Sequence, residues 1–188
     1  MVYSIIKLAK LINNVIVCLD IMISRRNNRK LFVSINIYVI MYSMFLHAKA
    51  TALDVSSFDT SNVTNTSYTF GSQYITSLKG IENFTTSNIT DMSYMFYAIK
   101  VSSLDLSSFD TSKVTNMSYM FKSAGKLNTI YASDKFVIDN VTSSDNMFGD
   151  DSSLVGGVGT QYNSSYVDKT YAIIDGGTST PGYFTLKS

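Results

Sequence analysis

A thirteen-residue phrase returns four times in this chain, at a period too long for one turn of structure and too short for a domain. It reads FDTSNVTNTSYTF over residues 58–70, FTTSNITDMSYMF over 84–96 and FDTSKVTNMSYMF over 109–121. A degenerate fourth copy, FVIDNVTSSDNMF, covers 136–148. The opening phenylalanines lie 26, 25 and 27 residues apart. A fixed period of this length belongs to chains whose coils cannot bury an apolar face alone and do so by stacking on their neighbours.

Counted from the opening phenylalanine, the same positions stay apolar in most copies. Position +5 is Val63, Ile89, Val114 and Val141, and position +12 is Phe70, Phe96, Phe121 and Phe148. Position +8 is Thr66, Met92, Met117 and Ser144, and +11 is Thr69, Met95, Met120 and Met147. Spacings of three and four predict a helix of one or two turns with these residues inward. The Ser, Thr, Asn and Asp cluster before each +5 residue suits an N-cap. Between phrases the period changes to two. Leu104 and Leu106 flank Asp105, Leu53 and Val55 flank Asp54, and 127–132 echoes the pattern, which predicts short strands stacked in parallel.

The expected fold is therefore an α/β repeat solenoid, each coil one short parallel strand plus one short helix. Three segments are expected: a leader over 1–50, about four repeats of 25–27 residues over 51–156, and a cap over 157–188. In the cap, Tyr171, Ala172, Ile173 and Ile174 form a strand candidate and Gly182 to Leu186 a partner, with Asp175-Gly176-Gly177 as the turn; this predicts a β-hairpin over the last coil.

The stretch LDLSSFDTSKVTNMSYMF, from Leu104 to Phe121, resembles the repeat of BspA-type leucine-rich-repeat surface proteins of bacteria and some protists. The similarity extends over about 53–188. It implies that the solenoid is leucine-rich-repeat-like and the protein exported, cell-surface and adhesive, and it brings no catalytic residues. Relatives often carry a cysteine three residues after the last phenylalanine of the phrase; here Gln73, Ile99, Ala124 and Asp151 stand there.

Charge separates the leader from the repeats. Residues 1–50 hold seven Lys or Arg and one acid; residues 51–188 hold eight lysines, no arginine and thirteen acids, a net charge of −5. Arg25, Arg26, Arg29 and Lys30 precede a largely apolar run of sixteen residues from Leu31 to Leu46. His47-Ala48-Lys49-Ala50 then supplies small residues at the −3 and −1 positions of a signal-peptidase site. The expectation is a signal peptide over 22–50, cleaved after Ala50; the rival is an uncleaved anchor. Lys7, Lys10 and Asp20 would be costly in a membrane span, so translation is expected to start at Met22. The single cysteine, Cys18, and the single histidine, His47, both lie in the leader. The repeats therefore hold no thiol or imidazole for nucleophilic catalysis or for a usual zinc site.

No catalytic residue, metal ligand or cofactor is assigned, and the chain is read as a non-enzyme. Two acid-based alternatives stand beside that reading: calcium at Asp145, Asn146, Asp150 and Asp151, and glycosidase chemistry by an unmarked carboxylate pair. Seven N-x-S/T sequons, at Asn62, Asn65, Asn83, Asn88, Asn116, Asn140 and Asn163, follow from the repeat phrase itself. The candidate recognition surface is the outward side of the strands: Asp54, Lys79, Asp105 and Tyr131, with Ser77, Ser103 and Thr129 beside them. Its expected partner is a protein or glycan on a host or neighbouring cell. Nucleic acid and membrane are disfavoured, because the repeats carry neither a basic footprint nor a basic amphipathic helix. The alternative role is an envelope spacer without a specific ligand.

Overall fold

The computed structural model describes residues 23–25, 29–31, 41–46 and 49–187. Cys18, Met22, His47, Ala48 and the centre of the apolar run lie outside the described residues. Strands β1 (Ile23–Arg25) and β2 (Arg29–Leu31) pair antiparallel. Strands β3 (Ala52–Asp54) and β4 (Ser77–Lys79) form a parallel pair. Strands β5 (Ser103–Asp105), β6 (Thr129–Ala132) and β7 (Phe184–Leu186) form a parallel three-stranded sheet in that order.

The expected coil of one strand plus one α-helix is overturned. Among the described residues there is no α-helix, only three 3-10 segments at Ile81–Asn83, Lys169–Tyr171 and Gly177–Ser179. The reason lies in where each repeat phrase sends its backbone. The N–H groups at +8, +10 and +12 donate to the next coil: Met92, Tyr94 and Phe96 to the carbonyls of Asn116, Ser118 and Met120. N–H groups that alternate with them close local turns, as Met95 at +11 does onto Met92 and Tyr97 at +13 onto Tyr94. An α-helix needs every donor for its own i−4 carbonyl, so this alternation excludes it. Position +10 also sits in the left-handed region in every copy, at Tyr68, Tyr94, Tyr119 and Asn146. Residues three and four apart still point inward, but on a chain of turns.

The core is a spine of the +12 rings. Phe70, Phe96, Phe121 and Phe148 stack at centroid distances of 5.8, 5.7 and 5.4 Å, all fully buried. Val63, Ile89, Val114 and Val141 line one side and Met92, Met95, Met117 and Met120 fill between. Short inward strand residues complete it, with Leu104, Ile130 and Phe184 in register across the second sheet.

A second column is polar. The buried Thr60, Thr86 and Thr111 occupy position +2. Thr86 Oγ1 donates to the Asp110 carbonyl at 2.9 Å and accepts from the Asp110 N–H at 2.8 Å. Thr60 does the same with Thr85, and Thr111 with Val137. One hydroxyl thus satisfies both backbone groups of a residue in the next coil. Thr86→Val keeps the shape and orphans both groups, so urea denaturation is expected to show a loss of ~2 kcal/mol. Thr86→Ser, which keeps the hydroxyl, is expected to lose less than half of that.

Among the described residues β4 pairs with β3 alone and is followed by a turn. Gly80 turns with φ of 91° and leads into the 3-10 turn Ile81–Asn83. A Cβ at Gly80 would lie 2.3 Å from the Ser56 nitrogen, so a side chain fits neither the space nor the torsion there.

The cap is not the expected hairpin. β7 pairs parallel with β6, and residues 171–174 form no strand. They run beside the start of β7, Phe184 N–H donating to the Ile173 carbonyl and Asp175 N–H to that of Phe184. Gly182 permits this approach, since a Cβ there would meet the Ile173 carbonyl oxygen at 2.3 Å. Asp175 ties the cap together, accepting from the N–H groups of Val158, Thr160 and Gly177 and from Thr160 Oγ1 at 2.6–3.0 Å. Burial pushes its carboxyl up, and these donors override that and hold it well below the usual range. Tyr183 closes the spine, its ring edge-on to Phe148 at 5.1 Å.

Candidate functional site

The outward strand residues fall into two groups, one on each sheet. Asp54 and Lys79 are direct register partners on β3 and β4, and Lys79 Nζ lies 2.9 Å from Asp54 Oδ2. The other Asp54 oxygen accepts from the Ser56 hydroxyl at 2.6 Å and the Ser56 N–H at 3.0 Å. The Ser56 hydroxyl and then Lys79 lower this carboxyl to about 2, and Asp54 in turn raises Lys79. Ser77 stands at the open end of β4 and is exposed.

Asp105 and Tyr131 are register partners on β5 and β6, with Ser103 opposite Thr129. Asp105 repeats the Asp54 arrangement, one oxygen accepting from the Ser107 hydroxyl at 2.6 Å and N–H at 3.1 Å. Its cation comes from the end of the chain. Lys187 Nζ lies 2.9 Å from Asp105 Oδ2 and 4.8 Å from the centre of the Tyr131 ring. Partial burial pushes Asp105 up, but Ser107 and Lys187 bring it down overall; Asp105 raises Lys187.

Sequence reasoning missed Lys187. The signal was present in the alternation of Phe184, Thr185 and Leu186, but it shows where Lys187 goes only once β7 is known to pair parallel with β6. With Lys187 in place, each acid of the face has a cation, and the surface is a set of satisfied ion pairs flanked by Ser77, Ser103, Thr129 and Tyr131. Both carboxylates are committed to a serine turn and a lysine, so this face suits noncovalent contact and supplies no free acid or base.

A second half-exposed column runs along +10. The rings of Tyr68 and Tyr94 stack at 4.2 Å and those of Tyr94 and Tyr119 at 4.6 Å. Burial, then the hydrogen bond with Tyr94, pushes the Tyr68 phenol up to about 12. The faces cover one another, and the Lys122 ammonium lies 5.6 Å from the Tyr119 ring centre. A sugar needs an open ring face, and this column presents edges.

Four asparagines of the phrase are likewise engaged. The Asn88 amide donates to the Ser61 carbonyl at 2.9 Å, and that of Asn140 to the Ser112 carbonyl at 2.6 Å. Asn65 and Asn116 accept from the N–H two residues on. Among the described residues no three His, Cys, Asp or Glu side chains gather as a metal site. Asp151, one of the acids considered for calcium, is buried and accepts from the Ala124 N–H at 2.8 Å. No helix of the described residues is long and apolar enough to cross a membrane.

Residues 72–181 match the family described as "Mycoplasma protein of unknown function, DUF285". The chain belongs to this family. The match takes in the second to fourth copies and most of the cap, and stops short of β7 and Lys187. No curated protein and no solved structure matches the chain. The family is described as of unknown function, so a functional reading rests on the surface just described.

Proposed function

We propose that this DUF285 protein is an exported, non-catalytic binding module, akin to BspA-type surface proteins, that contacts a protein or glycan on a host or neighbouring cell through its outward strand face. The observation that carries this reading is the cross-coil arrangement of Asp54 with Lys79 and of Asp105 with Lys187 and Tyr131. Fixed backbone register holds these groups in a constant pattern, which lowers the ordering cost of forming an interface. Tyrosine and mixed charge are common contact chemistry. The same mutual neutralisation favours a second reading, a rigid envelope spacer that needs no ligand.

The test is a charge swap. Asp54→Lys combined with Lys79→Asp keeps an ion pair but inverts its direction. The pair is solvent-exposed, so Tm is expected to move by less than ~2 °C. Attachment of the fluorescently labelled chain to intact cells, read by flow cytometry, is expected to fall at least tenfold. Full attachment by the swapped protein would discard the β3–β4 half of the strand face as the contact surface, and full attachment after the same swap at Asp105 and Lys187 would discard the rest. If the unaltered chain attached to no cell type, the spacer reading would replace the binding one.

A further inference from the structure

We propose that residues 41–46 are a truncated copy of the repeat, so that the folded array includes Met41 and any processing that leaves it closed occurs upstream of that residue. The segment reads MYSMFL, and it matches the endings of copies two and three, MSYMF from Met92 and from Met117, at three of five positions. The backbone fixes the alignment. Met41, Ser43 and Phe45 donate N–H bonds to the carbonyls of Asn65, Ser67 and Thr69 at 2.9–3.0 Å. In copy two, Met92, Tyr94 and Phe96 make the same three bonds to copy three. Met41 therefore stands at +8, Ser43 at +10, Met44 at +11 and Phe45 at +12.

Turn, torsion and ring stacking recur at those positions, although Met44 and Phe45 are only partly buried. Met44 closes a turn onto Met41 as Met95 does onto Met92, and Leu46 closes one onto Ser43 as Tyr97 does onto Tyr94. Ser43 has φ of 56°, against 56°, 55° and 61° at Tyr68, Tyr94 and Tyr119. The Phe45 ring lies 5.7 Å from Phe70 and 10° from parallel with it, so it is a fifth rung of the spine. Met41 is 1% exposed, and the buried Thr69 hydroxyl donates to its carbonyl at 2.8 Å.

The consequence concerns processing. These residues form the end of the apolar run that reads as an export signal, and cleavage after Ala50 would remove them. Coil one would then lose the donors to Asn65, Ser67 and Thr69, and Phe70 would be open on one side. Membrane insertion of the same residues has the same cost. A closed array and a mature chain starting at Thr51 are incompatible.

The test uses the full chain. Hydrogen exchange at the amides of Met41, Ser43 and Phe45 is expected to be slowed at least 100-fold relative to an unstructured peptide. Phe45→Ala is expected to lower Tm by ~4–8 °C. Ser43→Gly is expected to leave Tm unchanged or raise it, since glycine relieves the left-handed strain. Rapid exchange at all three amides, an unchanged Tm in Phe45→Ala, or a native protein that starts at Thr51 and melts at the temperature of the full chain would each overturn the proposal.

Discussion

Phe96→Ala is expected to lower the free energy of unfolding by ~3–5 kcal/mol. Phe96 is fully buried at the centre of the spine, between Phe70 at 5.8 Å and Phe121 at 5.7 Å. Its removal costs the transfer of a large ring, the cavity left behind and two stacked contacts. In a stacked array each coil touches only its neighbours, so a cavity there weakens both interfaces of one coil at once. The paired control is Phe58→Ala. Phe58 opens the first copy and is 36% exposed, whereas its counterparts Phe84, Phe109 and Phe136 are buried. Its loss is expected to cost less than half as much. Urea denaturation followed by circular dichroism measures both, and equal costs would mean that the ring column is not what holds the coils together.

That contrast bears on what a sequence of this kind reveals. The inward positions were legible because repetition samples them four times. Val63, Ile89, Val114 and Val141 at +5 and the four phenylalanines at +12 are all buried. So were the strand cores, where Leu104 and Ile130 lie in register and inward. The conformation joining them was not legible. Spacings of three and four fit both a short helix and a chain of turns, and what decides between them is whether alternate N–H groups bond within the coil or to the next one. Nothing in one copy encodes that; only the stack does. The candidate surface was half legible for a similar reason. Asp54, Lys79, Asp105 and Tyr131 follow from strand alternation, but Lys187 joins them through a parallel pairing between distant segments. The Met-x-x-Met-Phe echo at 41–45 was readable letter by letter and was hidden by an apolar run that carried a simpler meaning.

Raising the pH from 5 to 9 is expected to destabilise this protein, and Asp151 is the cause. Its side chain is fully buried, one oxygen accepts from the Ala124 N–H, and the other makes no hydrogen bond. Burial pushes the carboxyl up to about 8; the Ala124 N–H opposes this, Asp150 adds to it, and Lys100 opposes it. In the unfolded chain the same group titrates near the ordinary 3.8. The folded state therefore holds a proton that the unfolded state has lost, and stability falls as pH rises between those values. The contribution is complete below about 4 and gone above about 8, a total on the order of 6 kcal/mol. Asp54 and Asp175 act in the opposite sense, since their folded carboxyls sit low and lose their contribution only as pH falls below about 4. The two slopes place maximum stability near pH 4–5, on the acid side of neutrality. Asp151→Asn removes the titration while keeping an oxygen for Ala124. Its Tm is expected to be nearly constant from pH 5 to 9 and to exceed that of the unaltered protein at pH 9. If both proteins lose stability in parallel over that range, the buried carboxyl is not the group responsible.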